Sequence, residues 1–293
     1  WTALQFAQSD ALVFVGAVGI AVRAIAPHCR SKASDPAVVV LDECGRFAVP
    51  VLSGHLGGAN DLARALAAVC GAVPVITTAT DAHGIFAVDE WAKHQNCTVL
   101  EAERIKHVSS KLLAGQSVRF AAEFPVQGTP PAGVDPARTP AEADFALTLS
   151  PAGDALHLVP RIGVLGIGCR RGTCAEQLEA AFADFCARHS LAPACITAVA
   201  SIDLKADEVG LLAFCRTHGW PITFYSAEQL RALPGPFTPS PFVQSVTGVD
   251  NVCERAAVLA SGGCIRIPKQ AGGGVTFALA LCPYAPDWRW QNG

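Results

Sequence analysis

The sequence predicts an α/β protein made of two α/β domains with mainly parallel sheets, joined by an irregular middle region. Three observations carry this expectation. Over residues 1–83 short β-branched runs alternate with stretches of helical periodicity, the pattern of stacked βαβ units. From residue 160 to about 285 the same alternation returns. Between them, over 84–159, the periodicity weakens, and residues 125–140 are rich in Pro and Gly with few large apolar side chains. The length of 293 residues agrees, since it suggests about two domains at roughly 150 residues each.

In the first domain Ala11–Val15 reads as a strand, 16–26 as a turn into a helix stopped by Pro27, and Ala37–Leu41 and Phe47–Leu52 as two further strands. After a glycine-rich loop, Leu62, Leu66 and Val69 recur at helical spacing until Gly71, and 73–77 reads as a buried-type strand. Residues 84–96 read as a helix, and 144–149 and 155–159 as short strands. The second domain opens with a strand at 162–167, a glycine loop, and a helix with Leu178, Phe182 and Phe185 on one face. A strand at 196–200, a helix at 207–218 and a strand at 222–224 follow. Ser226 and Gln229 then match a capping box that opens a short helix. An extended loop at 234–241, a helix at 251–260 and strands near 264–267 and at Val275–Leu281 complete the chain.

Composition excludes several function classes. The 22 Lys+Arg against 25 Asp+Glu leave a net charge of −3, so the whole molecule is not drawn to nucleic acid or to an anionic membrane. Any anion must be held locally. Hydrophobic residues make up 51%, yet no uninterrupted apolar run reaches the 18 or so that a bilayer span needs. The 12 Cys are scattered without CxxC pairs, which predicts small buried hydrophobes in a reducing, cytoplasmic setting and no disulfide framework. No charged n-region with an h-region follows Trp1, so no signal peptide is expected.

The strongest candidate site is the loop Ser53-Gly54-His55-Leu56-Gly57-Gly58-Ala59-Asn60, between a strand and a helix. Glycines there let backbone amides approach an anion, and the helix dipole favours negative charge. A tight structural turn with His55 as a bystander is the competing reading. The stretch Gly166 to Thr173 repeats the strand-glycine-helix logic and adds Arg170 and Arg171, which suit carboxylates; Thr173 with Glu176 also reads as a plain capping box. Asp81, His83 and Asp89 follow a strand end, at the edge where open α/β sheets bind ligands, so all three are acid/base candidates. Turn chemistry and helix-surface solvation are the alternatives for Asp81 and Asp89. Lys205, in a loop with Asp203, Asp207 and Glu208, is a candidate anion ligand or amine for proton transfer, with a solvated loop of capping carboxylates as the alternative. Glu254 is a candidate ligand contact, with pairing to Asn251 as a helix cap as the alternative. His28, His55 and His83 are too unevenly spaced to argue a metal site.

Taken together, the strings at 14–27, 35–40, 53–60 and 75–81 with 87–89, and at 166–173, 201–208 and 247–257, resemble the CbiG family, the cobalt-precorrin-5A hydrolases of the oxygen-independent cobalamin pathway. The similarity runs through most of the chain. Members normally begin with a further strand-helix unit, so the resemblance implies that some N-terminal residues are lacking here. It implies a reaction in which water opens the δ-lactone of a ring-contracted cobalt corrinoid and a two-carbon unit leaves as acetaldehyde. Cobalt-precorrin-5A is then the partner and brings the cobalt, so no separate cofactor or protein metal site is expected. His55 would activate water or protonate the leaving alkoxide, with Asp81 and Asp89 beside it, and the amides of Gly57 and Gly58 would hold the oxyanion. Arg170, Arg171 and Lys205 would clamp substrate carboxylates, with Gly54, Asn60 and Glu254 as further substrate contacts. Contacts with neighbouring pathway enzymes and a homodimer are compatible with this reading; nucleic acid and membrane are not expected as partners. Two rivals stand beside it: a non-enzymatic corrinoid carrier, because the second half alone resembles CobE, and a nucleotide-binding oxidoreductase, which lacks its GxGxxG with an acidic ribose ligand.

Overall fold

A computed structural model describes residues 1–31, 34–55, 57–78, 80 and 83–290. Three sheets follow one another along the chain, and seven of their eleven strand pairings are parallel.

The first sheet has the order β1-β2-β3-β4, with β1 at Ala11–Val15, β2 at Ala37–Leu41, β3 at Phe47–Leu52 and β4 at Val73–Pro74. Helices α1 (Thr2–Gln8), α2 (Val18–Ile25) and α3 (Ala59–Cys70) accompany it. The run Ala37-Val38-Val39-Val40 is buried throughout because β2 is covered on both faces. Ala37 and Val39 meet Ala59, Ala63 and Ala67 of α3, while Val38 packs with Phe6, Leu12 and Ile25 on the other side. The strand expected at 73–77 is cut to two exposed residues. It sits at the sheet edge, and Pro74 has no N–H to extend the ladder.

The middle region, where sequence patterning weakens, carries a sheet of order β5-β9-β8-β6-β7. Its strands are short: β5 Cys97–Val99, β6 Val118–Ala122, β7 Val134–Pro136, β8 Phe145–Leu147 and β9 Leu156–Pro160. Helices α4 (Val88–His94) and α5 (Ile105–Leu113) pack on it. The core joins Phe86, Trp91, Phe120 and Phe145 to Trp288 from the far end of the chain. Strands of three to five residues give periodicity little room to show, and part of the apolar content arrives from elsewhere in the sequence.

The third sheet has the order β12-β11-β10-β14-β13. Strands β10 (Gly163–Cys169), β11 (Ile196–Ile202) and β12 (Ile222–Tyr225) are parallel, and β13 (Cys264–Gly272) and β14 (Val275–Leu281) close it as an antiparallel pair. Helices α6 (Ala175–Arg188), α7 (Val209–His218), α8 (Ala227–Ala232), α9 (Pro241–Thr247) and α10 (Cys253–Ser261) complete the unit. Leu178, Phe182 and Phe185 of α6 lie in its core, as their spacing predicts. The Ser226–Gln229 capping box forms, with Gln229 N–H donating to Ser226 Oγ at 3.2 Å and Ser226 N–H to Gln229 Oε1 at 2.8 Å. The Thr173–Glu176 box does not form. Cys174 is the N-cap, Gln177 reaches back to its N–H, and the buried Thr173 hydroxyl donates to the Arg170 carbonyl at 2.8 Å. Gly166 is a packing glycine, since a Cβ there would lie 1.8 Å from the Cys253 carbonyl oxygen of α10.

All twelve cysteines are free thiols. Cys186, Cys195, Cys215 and Cys253 are buried, but Cys29, Cys44, Cys70, Cys174 and Cys264 are exposed, so the expected role as small buried hydrophobes holds for only a minority. Among the described residues no helix is long and apolar enough to cross a membrane.

Candidate active site

The loop after β3 is built by its glycines. Ser53 adopts a left-handed backbone (φ 55°) and its Oγ donates to the Asp35 carbonyl at 2.9 Å. The chain then folds back on itself: Gly58 N–H donates to the His55 carbonyl at 2.9 Å, Ala59 N–H to Ser53 at 3.1 Å and Asn60 N–H to Gly54 at 3.0 Å. At Gly57 a Cβ would lie 2.3 Å from Ser53 Cβ, so only glycine permits this closure. At Gly54 the Asn60 side chain already sits 3.0 Å from where a Cβ would be. The expected oxyanion role of Gly58 is corrected by this geometry, because its N–H is spent inside the loop. The Gly57 N–H has no partner among the described residues. Asn60 is buried and its Nδ2 donates to Thr78 Oγ1 at 2.9 Å, which ties α3 to the segment after β4.

Folding brings His55 against the first turn of α4. His55 Nδ1 lies 3.1 Å from Asp89 Oδ2, and the two side chains are 12% and 10% exposed. A carboxylate at this distance selects the tautomer with the proton on Nδ1, which leaves Nε2 as the acceptor. Nε2 faces Thr80 Oγ1 at 3.4 Å and Glu90 Oε1 at 3.8 Å. The second Asp89 oxygen, Oδ1, is buried without a partner, so the His55 contact is the carboxylate's one hydrogen bond among the described residues. Asp81, another acid/base candidate, lies outside the described residues, and His83 is exposed.

Residues that sequence reading did not single out complete the surroundings. Glu90 is buried beside Nε2, and Arg64 NH1 lies 4.0 Å from its Oε1 and 3.1 Å from Asp61 Oδ1. Lys93 Nζ donates to Asp61 Oδ2 at 2.6 Å. Partial burial opposes ionisation of Asp61, but the Lys93 ammonium, helped by Arg64, holds its carboxyl below the ordinary carboxylate range. The adjacent acids Asp89-Glu90, just before the core residue Trp91, were the one local signal that could have drawn attention to Glu90.

The second glycine loop is a separate cluster. Glu208, buried, accepts from Lys205 Nζ at 3.0 Å and from the Gly172 N–H at 2.9 Å, and Arg171 Nε lies 3.7 Å away. Arg171 also donates to Asp207 at 2.9 Å. Burial opposes the charge on Glu208, yet the Gly172 amide and the two cations overcome it and keep the carboxyl below its ordinary value. Arg171 and Lys205 are therefore committed to acids of the same loop system. Arg170 is exposed, its stem lies over Gly274, and it forms no ion pair among the described residues. Glu254 is a brace: its carboxylate, on a residue 2% exposed, accepts from Thr238 N–H and Oγ1, Asn251 Nδ2 and Lys269 N–H at 2.7–2.8 Å. Asn251 Oδ1 in turn accepts the Glu254 N–H at 2.8 Å. With its oxygens engaged in this way, Glu254 has an architectural place rather than an open face toward a ligand.

Family models match both ends of the chain. Residues 1–81 match the family described as Cobalamin synthesis G N-terminal, and residues 163–280 match that described as Cobalamin synthesis G C-terminus. The cobalt-precorrin-5A hydrolase of Salmonella typhimurium is 36% identical over 293 residues, covering 94% of this chain and 83% of that protein. The cobalt-precorrin-5A hydrolase of Priestia megaterium is 32% identical over 308 residues, covering 95% of this chain and 80% of that protein. Protein CobE of a Sinorhizobium species is 35% identical over 120 residues, 40% of this chain and 78% of that protein.

Proposed function

Since this chain belongs to the CbiG family of cobalamin synthesis proteins, we propose that it is a cobalt-precorrin-5A hydrolase whose proton-transfer centre is His55 held by Asp89. The observation that carries the assignment of the centre is the His55–Asp89 contact. A histidine on a glycine loop, fixed through Nδ1 by a buried carboxylate, is a general base with its reactive nitrogen defined.

In this reading water adds to the lactone carbonyl while His55 Nε2 takes its proton, and the Gly57 N–H donates to the oxyanion that forms. Collapse breaks the carbonyl carbon–ring oxygen bond. The departing alkoxide recovers the proton from the imidazolium, which leaves a carboxylic acid and an alcohol. The alcohol proton then passes to a base, the C–O bond becomes C=O, and the carbon–carbon bond to the macrocycle breaks. The electron pair stays on the macrocycle, where a proton completes it, and acetaldehyde departs. Cobalt enters as part of the substrate. The Asp89 carboxylate stabilises the imidazolium between the two transfers. Arg170 serves as a carboxylate clamp, because the corrinoid periphery is rich in acetates and propionates and this guanidinium is uncommitted.

Anaerobic incubation with cobalt-precorrin-5A tests the proposal, with acetaldehyde and the ring-opened corrinoid as the expected products. Tight corrinoid binding with no acetaldehyde would replace it with the reading of a non-enzymatic corrinoid carrier.

A further inference from the structure

Helix α4 faces two ways. Its first turn brings Asp89 and Glu90 to His55, while Trp91 and Gln95 meet a strap, residues 284–290, that continues from β14. The helix has seven residues, and its N-cap Ala87 offers no side-chain hydrogen bond. Helices this short do not hold themselves in water, so their placement comes from packing. Asp89 is tied to the glycine loop by its contact with His55 and makes no other hydrogen bond among the described residues.

The strap supplies what the helix lacks. Trp91 Nε1–H donates to the Asp287 carbonyl at 2.6 Å. Gln95 accepts the Asp287 N–H at 3.1 Å and donates to the Arg289 carbonyl at 3.3 Å, and Tyr284 OH donates to the Gln95 carbonyl at 3.0 Å. Trp288, 8% exposed, stacks on Trp91 with centroids 5.0 Å apart and planes 17° from parallel, and meets Phe120 edge-on at 4.8 Å. A stacked aromatic pair fixes a helix in rotation as well as in distance.

We propose that Trp288 is a positioning residue for the reaction. Its stacking on Trp91 sets α4 in the orientation that puts Asp89 Oδ2 at His55 Nδ1, so the end of the third sheet's chain governs the proton-transfer pair. The inference rests on the reading of His55 and Asp89 as that pair.

Trp288→Ala and Trp288→Phe in the full chain test it, with three readouts: single-turnover acetaldehyde release, KM, and the NMR signal of the His55 Nδ1 proton, assigned by its absence in His55→Asn. Trp288→Ala is expected to lower kcat about 10- to 100-fold with KM little changed, since small displacements of a catalytic pair cost that much. The Nδ1 proton signal should broaden or vanish, and Trp288→Phe should restore most of both. If Trp288→Ala does not fold, Trp288→Leu, which fills space without a stacking face, takes its place. A folded variant with the wild-type rate and an intact Nδ1 signal overturns the proposal. Should the wild-type protein release no acetaldehyde, the hydrolase reading fails by itself. The Nδ1 signal then still decides this inference: its loss on removal of Trp288 supports it and its persistence refutes it.

Discussion

A histidine held through Nδ1 by a buried carboxylate carries the chemistry proposed here, and single substitutions separate that role from a structural one. Replacing His55 with Ala should lower kcat by about 10²- to 10⁴-fold, the usual contribution of a placed proton-transfer group, together with a lower melting temperature because the buried Asp89 carboxylate loses its hydrogen bond. A fall in melting temperature with unchanged single-turnover release would make His55 a turn residue instead. The arginines should part company. Arg170→Ala should raise KM about tenfold, the worth of one charge-assisted contact, at nearly constant kcat. Arg171→Ala should move KM less, since that guanidinium is already paired with Asp207 and lies near Glu208. Steady-state kinetics of the two variants check this. Glu208 makes a pH prediction. Its folded carboxyl titrates below its ordinary value, so the stability it adds is present above that value and disappears as pH falls through the lowered one. The difference in melting temperature between wild type and Glu208→Gln should therefore be largest at neutral pH and shrink below about pH 4.5.

At the scale of elements, each site depends on loops pinned by a few buried groups. Glu254 binds the extended loop at Thr238, the start of α10 and the middle of β13 into one unit. Glu254→Ala leaves those donors without an acceptor and should cost about 2–4 kcal/mol, read as the change in unfolding free energy in denaturant titration. Unchanged stability with a raised KM would return Glu254 to the list of substrate ligands. The glycine loop obeys the same logic with shape in place of charge. Gly57 admits the approach of Ser53, and the amides of Gly58, Ala59 and Asn60 close the turn.

Across the whole molecule, the three sheets meet through their connections. His55 belongs to the loop after β3, whereas Asp89 rides on a helix rooted in the middle core, and that core takes Trp288 from beyond β14. Thiol chemistry gives a global check on this packing. In the native state Cys29, Cys44, Cys70, Cys174 and Cys264 should react promptly with a thiol reagent. Cys186, Cys195 and Cys253, whose burial pushes their thiols up to about 12, should react only after unfolding. All twelve should titrate in denaturant without a reductant; fewer would mean a disulfide.

What the sequence determined by itself was local. The bounds of β1, β2, β3 and β14, the inward face of α6 and the Ser226–Gln229 cap were legible because each depends on backbone preference or side-chain period within a few residues. His55, Asp89 and Arg170 could be nominated for the same reason: residue type beside a strand end. Only the tertiary structure decided who meets whom. It joined His55 to Asp89 across 34 positions, shortened the strand at Val73, spent the Gly58 amide, occupied Glu254, Arg171 and Lys205 with internal partners, and brought Trp288 to Trp91. Those outcomes follow from burial and from the need of every buried polar group for a partner, and both are settled between segments far apart in the chain, where no local period reaches.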